Sequence, residues 1–164
     1  MEKKSAILTK VICYQAFEIA RPSIEALLTA VPAACRAVHI VIPDLNGEPL
    51  AEIDFGPDVE TQEYAVRVNK VTEISHSKAE IHHRTGRPSL EVQKRAPHLV
   101  MVGETVYGGS SDHEGLIAAA SGVQAYIDET CSGIVSSIAW GLCMHANETF
   151  HAQAEHGHMF EETI

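Results

Sequence analysis

The stretch VHIVIPDLNGEPLAEIDFG, residues 38–56, carries the strongest fold signal in the sequence. Its first half is a β-branched run, Asn46-Gly47 supplies a tight turn, and Ala51, Ile53 and Phe55 alternate onto one face of the return. A β-hairpin is predicted. Glu52 and Asp54 share its opposite face, either as paired carboxylates or as an ordinary solvent-facing row. A second hairpin is predicted in GVQAYIDETCSGIVSSIAWG, residues 122–141, where Val123, Ala125 and Ile127 alternate, Asp128-Glu129-Thr130 reads as a turn, and Ile134, Ile138 and Trp140 line the return.

Helices are predicted around these hairpins. Apolar residues recur at helical spacing from Ile7 to Val31, with Pro22 marking a kink or boundary and Pro32 the end. Residues Val59 to Arg84 contain no Pro or Gly and stop at Thr85-Gly86, which predicts one long helix with a glycine C-cap. A short apolar run, His98 to Val102, leads into GETVYGGSSDHEG, read as a flexible or ligand-approaching loop, and a terminal helix is expected from Leu142 to Glu155. Helix, hairpin, helix, loop, hairpin, helix implies a single α/β domain of the α+β type over residues 1–164. Its antiparallel sheet is built from two hairpins with packed helices, unlike a parallel doubly wound fold.

The 164 residues hold 12 Lys plus Arg, 22 Asp plus Glu and 10 His, a formal charge of −10 with neutral imidazoles. An acidic chain without a dense basic block is a poor match for nucleic acid or an anionic membrane. Small molecules, metals and other protein chains remain as partners. Cys13, Cys35, Cys131 and Cys143 form no C-x-x-C pair and no zinc-module spacing, which suits a reduced cytoplasmic protein. Lys10, Gln15, Glu18, Arg21 and Glu25 interrupt the N-terminal apolar pattern, so neither a signal peptide nor a membrane span is expected. No G-x-S-x-G, Walker, G-x-G-x-x-G or H-E-x-x-H motif is present.

The 122–141 segment resembles the GlcG/HbpS-like family, also described as the haem-degrading or PduO C-terminal-like domain family. Gly122, Val123, Asp128, Gly133 and Ile138 fall in slots of its Gly-Val-Pro-Ile, Asp-Gly, Val-Val-Gly-Ala-Ile-Gly-Val pattern. Asp44 and Gly47 match its first Asp-x-x-Gly turn, and Lys78-Ala79 its helical Lys-Ala. Gln124-Ala125, Glu129 and Ser136 to Ala139 depart from it, and the likeness is strongest over residues 38–144. The resemblance implies a profilin-like domain that assembles into homo-oligomers, often octamers, with a pocket for haem, corrinoids or small catabolites. Its haem-binding members are expected to place a histidine near the N-terminal helix, where residues 1–38 here contain none.

Several side-chain patterns suit chemistry. Glu73, His76, Glu80 and His83 share one helical face, either as a solvated stripe or as ligands, with His76, Glu80 and His83 the candidate divalent-metal set. His113, between Asp112 and Glu114 and framed by glycines, is the leading candidate for a general acid or base, with His83 as a second. Arg84, Arg87, Lys94 and Arg95 suit either a clamp on a substrate anion or a salt-bridge patch. Arg84 and Arg87, with Lys78, Tyr107 and Gly109, make up the candidate ligand-binding set. His145, Glu148, His151, Glu155, His156 and His158 repeat the striping at the C-terminal end, as metal capture, pH-sensitive contacts or a polar tail. The function expected is binding of an anionic metabolite in a catabolic pathway, with acid-base isomerisation or elimination as its enzymatic extension. The alternative is a non-catalytic haem or corrinoid binder or sensor.

Overall fold

A computed structural model describes residues 3–153. Its centre is a four-stranded antiparallel sheet of order β2-β1-β4-β3, with β1 at Val38–Pro43, β2 at Pro49–Phe55, β3 at Ser110–His113 and β4 at Leu116–Ser121. The helices are α1 (Lys10–Ala30), α2 (Gln62–Ala65), α3 (Val68–Thr85), α4 (Ser89–Arg95) and α5 (Ala125–Gln153). The α+β class and the two-hairpin antiparallel sheet agree with expectation.

The first hairpin follows its sequence closely. Val38 pairs with Phe55, Ile40 with Ile53 and Ile42 with Ala51, so the alternating residues fall on one face. In the turn, the Asp44 carboxylate accepts from the backbone of Asn46 and Glu48 at 2.7 and 3.0 Å, while Gly47 takes φ 88°. Every residue of β1 is buried, because helices cover both sides. On one side Ile40, Ile42, Phe55, Ala118 and Ala120 pack with Phe17 and Ile24 of α1 and Cys131 and Val135 of α5. On the other, Val41 and Ala119 meet Ala79 of α3.

The second hairpin is displaced from its expected position. Residues 122–141 do not form strands: apart from Gly122 to Gln124, they lie in the 29-residue helix α5, which also absorbs the separate terminal helix expected from Leu142. Ile127, Cys131, Val135 and Ala139, each four residues on from the last, enter the core as one helical stripe. Packing along that stripe outweighs the β preference of Ile and Val. Asp128, expected in a turn, stands in the first helical turn, where a carboxylate is favoured. The strands come instead from the expected glycine loop and the residues after it. Glu114 and Gly115 both have positive φ, 49° and 82°, the two-residue type I′ connection between β3 and β4.

The helix expected from Val59 to Arg84 is divided. Asp58 accepts the Arg36 backbone N–H at 2.7 Å and the Arg36 guanidinium at 3.1 Å, holding the entry segment out of the helix. Thr61 then caps the short α2, and α3 ends at Gly86, φ 68°, whose N–H donates to the His82 carbonyl. Helix α1 continues through Pro22, which is exposed, as is Glu18 four residues earlier whose carbonyl loses its partner, so water can satisfy it. None of the helices among the described residues is long and apolar enough to cross a membrane.

Candidate functional site

Lys78 lies on the α3 face that meets the sheet, and its side chain is only 1 % exposed. Its ammonium donates to the Ala120 carbonyl at 2.7 Å and to Asp128 Oδ2 at 2.9 Å, using two of its three donors. The other carboxylate oxygen, Oδ1, accepts the Val123 backbone N–H at 3.1 Å. Gly109 passes against this pair: a Cβ there would stand 2.6 Å from the Asp128 Cβ and 2.8 Å from Lys78 Nζ, at φ 140°. Its carbonyl accepts from Ser132 at 2.7 Å, tying the β3 entry to α5.

Burial pushes the Lys78 ammonium below its ordinary range, outweighing the opposing effect of Asp128. Burial likewise raises the Asp128 carboxyl, against the pull of Lys78 and of the Val123 and Gly122 N–H groups. The two shifts converge, and the groups titrate as a pair. A cleft of about 330 Å³ opens beside them, lined by Arg67, Lys70, Lys78, Tyr107, Gly108 and Asp128 among others. The start of α5 also lines it, adding the positive end of a long helix. With Lys78 paired to Asp128, Arg67 and Lys70 are, among the described residues, the cationic side chains left uncompensated at the cleft, an arrangement suited to an anion.

A second buried network joins α3, α4 and β3. His82, 2 % exposed, has Nδ1 3.0 Å from Ser110 Oγ and Nε2 3.1 Å from Asp112 Oδ1. The Ser89 and Ser110 hydroxyls are 3.0 Å apart, and Ser110 Oγ accepts the Ser89 N–H at 2.7 Å. Burial lowers the His82 pKa, more than the Asp112 carboxylate raises it. A neutral imidazole donating from Nε2 to Asp112 and accepting at Nδ1 from Ser110 satisfies every atom. The Ser, His and Asp types suggest a nucleophile, but Ser110 is fully buried and its oxygen is held by a backbone amide, so the set clamps β3 to α3 and α4. His82 and His83 line a separate cleft of about 530 Å³ with Ile7, Leu8, Asp112 and Glu114.

The structure separates much of the set expected from sequence. Alternation along β3 sends Asp112 to His82 on the α3 side and His113 to α5, where its ring lies 4.5 Å from that of Trp140 and Nδ1 is 3.5 Å from Ser137 Oγ. Glu114 is the exposed turn residue, and His83 contacts the Leu45 carbonyl at 3.3 Å. Arg84 is held by Glu104 at 2.7 Å and by the Leu99 carbonyl, and Arg87 faces Glu91 at 3.9 Å, so both engage neighbours in their own chain. Glu80 and His83 do not complete a three-ligand cluster with His76 among the described residues. Of the C-terminal stripe, Glu155, His156 and His158 lie outside the described residues. Lys78, Tyr107 and Gly108-Gly109 do converge, at the 330 Å³ cleft. Arg67, Lys70 and Asp128 join them: in sequence Asp128 reads only as a turn residue and a family-pattern position, and Lys70 stands two helical turns before Lys78 on α3.

No protein-family model, curated protein or solved structure matches the chain.

Proposed function

We propose that this chain is a small-molecule-binding protein of the GlcG/HbpS-like type that takes an anionic organic metabolite in the cleft between α3, the start of α5 and the 107–109 segment. The observation carrying this reading is the convergence of Arg67, Lys70 and Lys78 on one cleft in a chain of net charge −10. A carboxylate or phosphate entering it gains charge-assisted hydrogen bonds and the field of α5. In this reading the Lys78–Asp128 pair, with its narrowed proton affinity gap, supplies the acid-base chemistry for isomerisation or elimination in the cytoplasm. His113 faces the opposite side of the sheet, against Trp140.

Self-association, up to the octamer the resemblance implies, belongs to the same proposal. Met101, Val102, Val106 and Tyr107 stand exposed on one connecting segment, an apolar surface suited to a second copy.

The test is thermal unfolding with inorganic phosphate, malonate, citrate and a phosphate monoester, each matched in ionic strength by chloride. A cognate anion at a hundred times its Kd should stabilise the fold by about 2.7 kcal/mol. Lys70→Ala and Arg67→Ala should weaken that response without unfolding the apo protein. Stabilisation that merely tracks ionic strength, or that survives both substitutions, would overturn the assignment.

A further inference from the structure

A second cluster of polar groups lies away from the Lys78–Asp128 pair, on the part of the sheet where β1 and β2 face α3. The antiparallel register sets His39 directly opposite Asp54, and Val41 opposite Glu52. His39, 5 % exposed, directs Nδ1 to Asp54 Oδ1 at 3.0 Å. Tyr64 donates to the same carboxylate oxygen at 2.6 Å. Asp54 is thereby held on two sides, and it holds a proton of His39 on Nδ1. Nε2 faces the interior of the cluster, where it donates to Glu52 until an arriving ion displaces that proton.

That nitrogen is 3.1 Å from Glu52 Oε2. His76, reaching in from α3, places its own Nε2 2.5 Å from the same oxygen. The three atoms, His39 Nε2, His76 Nε2 and Glu52 Oε2, all lie within 4.8 Å of one another. Ligand atoms around a tetrahedral ion with bonds of about 2.0–2.1 Å stand about 3.3 Å apart, so small side-chain adjustments bring these three to coordinating positions. They come from two strands and a helix held by the core, which fixes the set before an ion arrives.

We propose that His39, His76 and Glu52 form a binding site for a divalent transition-metal ion of the zinc class, with Asp54 as the outer partner that orients His39. Two imidazoles and one carboxylate favour such an ion over Mg²⁺ or Ca²⁺, which prefer all-oxygen shells. Glu52 and Asp54 together carry the two negative charges that neutralise it. The His76 and Glu52 side chains are 35 % and 41 % exposed, which opens the site to solvent and leaves room for water or a ligand atom in a fourth position. The site goes beyond the anion-binding reading and uses none of its residues. From the Glu73, His76, Glu80 and His83 stripe it takes only His76; Glu52 comes from the face of β2 that it shares with Asp54, and His39 from β1.

The test uses the full, untagged chain, freed of metal by chelator and titrated with Co²⁺, followed by visible absorption and by calorimetric competition with Zn²⁺. One equivalent of Co²⁺ should bind with ligand-field bands of a nitrogen and oxygen shell, and Zn²⁺ should displace it. His76→Ala and Glu52→Gln, at partly exposed positions, should keep the wild-type circular dichroism and each weaken the Kd by about tenfold or more. Asp54→Asn should weaken it while retaining the bands, as expected of a residue acting through His39. Lys70→Ala should leave metal binding unchanged, and His76→Ala should leave anion stabilisation unchanged, so the two assignments fail independently. Absence of stoichiometric binding overturns the site. Binding unaltered by both His76→Ala and Glu52→Gln does the same, and places the metal on other histidines.

Discussion

Lys78 and Asp128 are charged residues that the fold removes from water, and each is tolerable only because of the other. Removing one partner from such a pair leaves an uncompensated charge in the core. Lys78→Met should therefore lower the unfolding free energy in urea by about 3–5 kcal/mol. Lys78→Met/Asp128→Asn should recover part of that loss, because the neutral amide still accepts from Val123 and no bare carboxylate remains. A double variant no more stable than Lys78→Met would show that the buried charge is not the source of the cost. The same logic explains Gly109: any side chain there must enter space already held by the pair.

Helix α5 ties much of the molecule together, packing on β3, β4 and α1 and presenting Asp128 to Lys78. Thr130 lies inside it, so Thr130→Pro should remove a helical N–H, clash with the preceding turn and cost about 3 kcal/mol or more in chemical denaturation. Were residues 128–130 a hairpin turn, the same substitution would be mild. This element was also the hardest to read from sequence. Val123, Ala125 and Ile127 satisfy a period of two over a short window, whereas the four-residue stripe through Val135 and Ala139 emerges only over a longer one. The first hairpin was legible because its turn chemistry and its alternation agree. The strands β3 and β4 were hidden by composition: Ser110 to His113 is polar because it is a short edge strand, and Leu116 to Ser121 is rich in alanine because helices press on both of its faces. At the candidate site, Lys78, Tyr107 and Gly109 were marked in advance. Asp128, Arg67 and Lys70 were not marked as site residues, since the cleft forms only when α3 and the start of α5 pack against the 107–109 segment.

For the molecule as a whole, buried histidine couples stability to pH. The pKa of His82 is lowered in the fold, so between that value and the unfolded value of about 6.5 the unfolded chain binds more protons. Its contribution is fully present above about pH 6.5 and is lost as pH falls through the folded pKa. Wild-type stability, measured by denaturant unfolding from pH 7.5 downward, should therefore fall more steeply than that of His82→Gln. Parallel curves would mean that His82 is not the group being protonated.

The sheet has two free margins. On one, β2 begins with Pro49, which lacks an N–H, and carries Glu52 and Asp54; on the other, β3 is four residues long and ends at Asp112 and His113. Short, charged or proline-bearing margins resist the addition of a further strand. Copies of this chain are thereby steered away from joining their sheets into a continuous ribbon. Any contact between copies would then fall to helices and connecting segments.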